Sequence, residues 1–253
     1  MHKSLTLAFL SLWGFFSAQV VEEKLPPVPI EKANIIKTNA TAYAFRNFNL
    51  TYERIFSKTF SLSAGYSTMP EGKVPFIDYF ASAEEQLRDV EVSHQGLTLE
   101  GRFYVGKKGY GEGFYLAPYA RHGKVDAPEF IYYYTYSDAL VGEQEIPLTV
   151  RGDASGLSGG LLLGTQFLMG KKKNFVLDLW ILGVHYGGGS GDFSARSPYS
   201  LNQEQQNQLK RELEELDIPM VKYTVTTNPN GADVAMDGPW AGLRSGLSLG
   251  FKF

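Results

Sequence analysis

The stretch that decides the fold is the last one, Ala241-Gly242-Leu243-Arg244-Ser245-Gly246-Leu247-Ser248-Leu249-Gly250-Phe251-Lys252-Phe253. Taken two residues at a time, it puts Ala241, Leu243, Ser245, Leu247, Leu249, Phe251 and Phe253 on one side and Gly242, Arg244, Gly246, Ser248, Gly250 and Lys252 on the other. Successive side chains of a strand point to opposite faces, so this is a β-strand with one apolar face and one small, polar face. The same sorting recurs upstream. Leu97, Leu99, Gly101, Phe103 and Val105 alternate with Thr98, Glu100, Arg102 and Tyr104, and Phe60, Leu62, Ala64 and Tyr66 alternate with Ser61, Ser63, Gly65 and Ser67.

Period two predicts eight strands, near residues 35–45, 47–56, 59–69, 95–106, 112–123, 155–169, 173–187 and 240–253. The links between them alternate in length. Ser57-Lys58, residues 107–111 and residues 170–173 are tight and rich in Gly and Lys, whereas residues 70–94, 124–154 and 188–239 are long. Only the first outer link, around Arg46, breaks the pattern. Short turns on one side and long loops on the other are the signature of an up-and-down barrel.

A soluble, lipocalin-like barrel would show the same alternation with its apolar face inward. Side-chain size separates the two: a narrow lumen suits a polar face of Gly and Ser, while bulky apolar residues suit lipid. The expected fold is all-β, an eight-stranded antiparallel up-and-down transmembrane β-barrel with long outer loops, one of which holds a short helix. Phe56, Phe60, Phe103, Phe114, Phe167, Phe175, Phe251 and Phe253 all fall near a short turn or the C-terminus, as an aromatic girdle at one membrane interface would.

At the other end, His2 and Lys3 precede an apolar run from Leu5 to Phe16 that closes in Ser17 and Ala18. Residues 1–18 read as a signal peptide cut near Gln19, the run being shorter than the roughly 20 residues of a spanning anchor. Residues 19–34, with Pro26, Pro27 and Pro29, read as an extended periplasmic leader, and residues 35–253 as the barrel. There is no cysteine, hence no lipid-anchor thiol and no disulfide framework. A net charge of −3, without a basic cluster interleaved with aromatics, argues against nucleic acid as a partner.

Together the loop alternation, the terminal strand Gly246-Leu247-Ser248-Leu249-Gly250-Phe251-Lys252-Phe253 and the signal peptide resemble the small eight-stranded outer-membrane barrels of the OmpA, OmpX and OmpW type. Residues 97–104, 113–121 and 176–178 look more narrowly like an uncharacterised outer-membrane barrel family catalogued as a domain of unknown function. The resemblance implies the fold and a Gram-negative cell outer membrane as location, with no activity to transfer. It also implies that Leu249, Phe251 and Phe253 match the signal read by the barrel assembly machinery, lipid-facing residues though they also are.

On the polar face, Lys37, Glu53, Glu100, Arg102, Arg121, Asp178, Arg244 and Lys252 are predicted to point into the lumen. Charges in so narrow a space must pair, because an unpaired charge away from water costs several kcal/mol. The expectation is a plug; a narrow pore for small solutes, favouring anions, is the alternative. No catalytic or metal constellation stands out and no cofactor is implied. His122 and His185 share parity with the lipid face, and His94 has lumen parity with Glu100 but lies six residues from it. A lipid-modifying enzyme is the second alternative. Gly187-Gly188-Gly189-Ser190-Gly191 reads as the start of a flexible loop.

In the fourth outer loop, Ser200 with Gln203 forms a plausible capping box, followed by a Leu209, Leu213, Leu216 stripe that packs on its own loop or docks a partner. In the third, residues 130–136 facing residues 145–150 read as a hairpin, a Tyr-rich ribbon open to a surface ligand. Residues 220–227 also have strand character and are expected to partner the upper extension of the last strand. The expected role is non-enzymatic: a monomer among outer-membrane lipid and lipopolysaccharide, structural or surface-interacting.

Overall fold

The computed structural model describes residues 32–73, 90–138, 142–215 and 221–253. The signal-peptide and leader readings and the position of Leu216 lie outside these, apart from the leader's last three residues.

Eight antiparallel strands close on themselves: β1 (Asn34–Asn39), β2 (Phe48–Ile55), β3 (Phe60–Lys73), β4 (Glu91–Gly109), β5 (Glu112–Asp138), β6 (Gly142–Met169), β7 (Phe175–Arg196) and the last strand, β10 (Gly242–Lys252). β10 pairs with both β7 and β1, which leaves no edge in the barrel. At the seam the Phe253 N–H donates to the Asn34 carbonyl at 2.8 Å, and the Asn34 N–H returns to Phe253 at 3.0 Å. Above the barrel, β8 (Lys222–Asn228) pairs with β9 (Gly231–Pro239), and β9 continues the sheet along upper β7. As expected of this segment, residues 222–227 partner the upward continuation of the last strand, outside the barrel wall. Among the described residues no helix is long and apolar enough to cross a membrane.

β1 is shorter than the periodicity predicts. Asn39 accepts at its side-chain oxygen from the Ala42 N–H (3.1 Å) and the Thr41 hydroxyl (2.6 Å), which turns the chain into a 3-10 helix, Thr41–Phe45. A local side-chain acceptor outcompetes the ladder there. Conversely, the outer "loops" are mostly strand. β5 and β6 keep pairing from Ala127↔Gly152, through one irregularity, up to Asp138↔Gly142, so Phe130 faces Val150 and Tyr134 faces Ile146 as expected of the hairpin.

One face of these long strands changes character with height. In the barrel the inner face is polar, with Glu53, Ser61, Arg102, Gln166 and Asp178 fully buried, and Leu50, Leu97, Leu99, Val105, Leu157 and Leu161 are exposed outside. Higher up, the inner face carries Tyr134, Tyr136, Ile146, Leu148 and Ala195, which join Leu201, Leu209 and Ala232 in an apolar core. The outer face there exposes Glu143, Glu145, Arg151, Asp153 and Asp192. An extra residue in β5 between Ala127 and Phe130 sets this register.

The helix α1 (Gln203–Glu214) covers that core. Its cap is Asn202, not Ser200: the Asn202 side chain accepts from the Glu204 and Gln205 N–H groups, and the Gln205 side chain accepts from the Asn202 N–H. Ser200 lies two residues too early because Leu201 turns down into the core, 3% exposed, before the helix begins. Leu209 is buried and Leu213 packs against the same cluster, so the stripe seals its own loop.

Gly187–Gly191 lies within β7, paired with β6 on one side and in part with β9 on the other. Gly187 and Gly191 pack closely on β6, at Leu157 and Ala154, and Gly189 lies against Trp240. A Cβ at Gly156 or Gly189 would come within 2.4 or 2.7 Å of its ring, and one at Gly123 within 3.1 Å. Gly123, Gly156 and Gly189 are cross-strand neighbours, so three adjacent strands form a groove for one indole. Close approach, rather than flexibility, accounts for the glycines.

Candidate functional site

The lumen is built from side chains that alternate parity brings inward from all eight barrel strands. Lys37 on β1 sits at the centre of its turn-side half. Its ammonium donates to Glu53 Oε2 at 2.6 Å, Gln166 Oε1 at 2.7 Å and Asp178 Oδ2 at 2.7 Å, which uses all three N–H bonds. Arg102 on β4 donates from Nη2 to Glu100 Oε2 at 2.8 Å and from Nη1 to Asp178 Oδ2 at 2.7 Å, with its guanidinium 4.5 Å over the Tyr115 ring.

The carboxylates are saturated in turn. Glu53 Oε1 accepts from Ser61 (2.6 Å) and Tyr104 (2.7 Å), while Asp178 Oδ1 accepts from Tyr115 at 2.7 Å. Gln166 donates to the Gly111 carbonyl at 2.8 Å and so ties the network to the β4–β5 turn. The side chains of Lys37, Glu53, Arg102 and Asp178 have no solvent exposure. Charges withdrawn from water persist only when each is paired and hydrogen-bonded, and here all four are.

Of the eight predicted lumen charges, Lys37, Arg102 and Arg244 meet Glu53, Glu100 and Asp178, with Arg244 Nη2 bonded to Glu100 Oε1 at 2.8 Å. Three cations meet three anions. The other two cations stand at opposite ends. Lys252 donates to the Tyr110 carbonyl at 2.7 Å at the turn-side mouth, and Arg121 faces the loop-side half with no carboxylate of the described residues in ion-pair range. Leu249, Phe251 and Phe253 lie on the outer face, 37%, 49% and 50% exposed. Phe60 and Phe103 pair across strands with ring centres 5.2 Å apart, within a band of exposed Phe at the turn end.

His94 has the inward orientation that its parity predicts, and His122 lies on the exposed outer face. His185 does not: it points inward, its Nδ1 3.1 Å from the Tyr119 hydroxyl. Register explains the correction. β7 carries one more residue than β6 between Trp180 and Leu182, opposite Gly164 and Leu163, and the bulge at Ile181 reverses the parity counted from Asp178.

Sequence reasoning also missed Gln166, Tyr115, Tyr119 and Trp180. Gln166 was legible as the cross-strand partner of Asp178. The aromatics were legible too, since Tyr115 and Tyr119 alternate in step with Arg121, and Trp180 with Asp178.

Above the plug lies a cavity of about 420 Å³. Glu100, Arg121, Trp180 and Arg244 line it below, and it reaches the gap between the 3-10 helix and upper β10, lined by Asn39, Phe45 and Leu243. Among the described residues, β1 pairing ends at Asn39↔Ser248, and above Leu247, which bonds to Ala40 and Thr41, no strand pairs with β10 on that side. Among the described residues no group of three or more His, Asp or Glu could hold a metal ion. No protein-family model matches the chain, and no curated protein matches it.

Proposed function

We propose that the chain is a non-enzymatic outer-membrane β-barrel whose turn-side lumen is closed and whose strands rise beyond the lipid to carry a surface platform. The observation that carries this reading is the inversion along β5, β6 and β7. Large apolar side chains face outward over the barrel; above it an apolar core fills the inner face, and Glu143, Glu145, Arg151, Asp153 and Asp192 join Ile131 and Tyr133 outside. The outward face meets a medium that accepts Leu and Phe at one height and Glu, Asp and Arg at another, which is how lipid and then water would sort a continuous strand. The Phe band at the turn end supports an interface there. The leader supports export, and Leu249, Phe251 and Phe253 supply the pattern offered to the assembly machinery.

The Lys37, Glu53, Arg102 and Asp178 network, whose side chains have no solvent exposure, supports a closed turn-side lumen. The role is then structural or surface-interacting, with the platform of α1, β8, β9 and the Tyr-rich ribbon as the part presented to a ligand. Purified protein is expected to migrate anomalously on gels until heated and to show no discrete conductance in planar bilayers. Stepwise, salt-dependent conductance would replace the plug by a pore, and recovery of the mature chain in the soluble periplasm would overturn the membrane reading.

A further inference from the structure

We propose that the loop-side lumen is a binding site for a small anionic group, a carboxylate or phosphate, held by Arg121 and Arg244 above the plug. This goes beyond the platform reading and does not depend on it.

The inference starts from a charge count. The cavity wall holds two guanidinium groups and one carboxylate, Glu100. Both oxygens of that carboxylate are already engaged, Oε1 by Arg244 and Oε2 by Arg102. Among the described residues Arg121 therefore has no acid to pair with, and every other polar side chain lining the cavity is a neutral amide, hydroxyl or indole.

Arg244 is the more telling of the two. Its side chain is only 9% exposed, and it is clamped between Tyr119 and Trp180, the guanidinium carbon 4.5 Å and 4.6 Å from the two ring centres. The two rings pack on the guanidinium, and Arg244 lines the cavity beside Arg121. Nη2 donates to Glu100, and Nη1 has no partner. Among the described residues the other buried polar atoms without a partner are Ser63 Oγ, Ser248 Oγ and His94 Nδ1, none on a permanently charged group. Leaving a charged donor unsatisfied is costly in a protein interior, and placing a second unpaired guanidinium in the same cavity adds like-charge repulsion. An oxyanion bridging Arg121 and Arg244 removes both costs and adds charge-assisted hydrogen bonds.

Access is lateral as well as from the loops, through the gap between the 3-10 helix and β10. Phe45 and Leu243 flank it, 48% and 76% exposed. The same phosphate chemistry can therefore arrive on a free solute or on a lipid headgroup.

Trp180 stacks on Arg244, so its emission reports occupancy. Refolded full chain in a phosphate-free non-ionic detergent is titrated with inorganic phosphate, with acetate and, in a separate arm, with dihexanoyl phosphatidic acid. A saturable change with phosphate or acetate assigns a free anion, and a change with the phosphatidic acid alone assigns a headgroup; either supports the site. Arg121→Gln is expected to raise the half-saturating concentration about tenfold or more, and Trp180→Phe to abolish the emission change while calorimetric binding persists. Arg121→Gln should also leave the ligand-free protein at least as heat-resistant as the parent, since it removes an unpaired cation. A response that persists in Trp180→Phe, unchanged affinity in Arg121→Gln, loss of ligand-free stability in that variant, or no saturable binding in any arm each overturns the proposal.

Discussion

Residues 115–121 and residues 130–136 belong to one strand, yet they meet their surroundings in opposite ways. In the lower stretch Tyr115 and Tyr119 turn inward to charged partners, Asp178 and Arg244, while Phe114 and Leu116 lie bare on the outside. In the upper stretch Tyr134 and Tyr136 turn inward to Ile146, Leu148 and Leu209. The barrel has placed its bulky apolar residues on the outer face and must hold its interior with hydrogen bonds and ion pairs. The platform uses an ordinary apolar core under a helix. Cohesion in the two regions therefore answers to different substitutions.

Arg102→Ala should have the largest effect. It leaves Asp178 and Glu100 without their guanidinium in a site closed to water, at a cost of about 3–5 kcal/mol. The expected readout is a lower urea midpoint and a lower temperature for the heat-induced gel shift, with α1 no easier to digest than in the parent at temperatures where the barrel is intact. Leu209→Ala should act the other way round, destabilising the platform by about 3 kcal/mol and exposing α1 to protease while the barrel's gel shift is unmoved. If the two variants lower both signals together, the two regions form one cooperative unit and the contrast fails.

Smaller effects sharpen the boundary. Asn202→Ala removes the cap that holds the first turn of α1 and should cost about 1 kcal/mol, read as faster amide exchange in that turn alone. At the turn end, Glu112 lies beyond the Phe band. Burial raises its pKa, but hydrogen bonds from Lys108 (2.8 Å) and Lys173 (3.0 Å) outweigh that and hold it below the usual carboxylate range. A depressed folded-state pKa stabilises above the unfolded value and stops doing so as pH falls through the folded one. Both lysines are exposed, so Glu112→Gln should cost under about 1 kcal/mol at neutral pH. The difference from the parent should vanish once the pH is well below about 4. A difference that persists in acid would point to lost packing instead of lost charge.

Much of the barrel was legible because its faces are so unequal. The alternation in residues 59–69, 95–106 and 240–253 put Ser61, Glu100, Arg102, Arg244 and Lys252 inside without reference to any partner strand. What escaped were features that depend on a neighbour. Asn202 took the cap that Ser200 was expected to take because Leu201 had first to reach the core. Gly187–Gly191 looked like a loop because close packing on β6 and a groove for Trp240 leave no trace in local periodicity. His185 fell on the wrong face because parity is counted along one strand, and a bulge is a mismatch between two.

The sequence by itself determined the number of barrel strands, which face of each is polar, and which charges share the lumen, since side-chain alternation is a property of a single strand. Tertiary structure decided how those charges pair. Closure of β10 on β7 places Arg244 against Glu100 and Asp178 beside Lys37, and so sets three pairs in the middle and a surplus cation at each end. It also decided that Arg121 and Arg244 line one cavity, because that juxtaposition depends on barrel closure, which joins strands far apart in the chain.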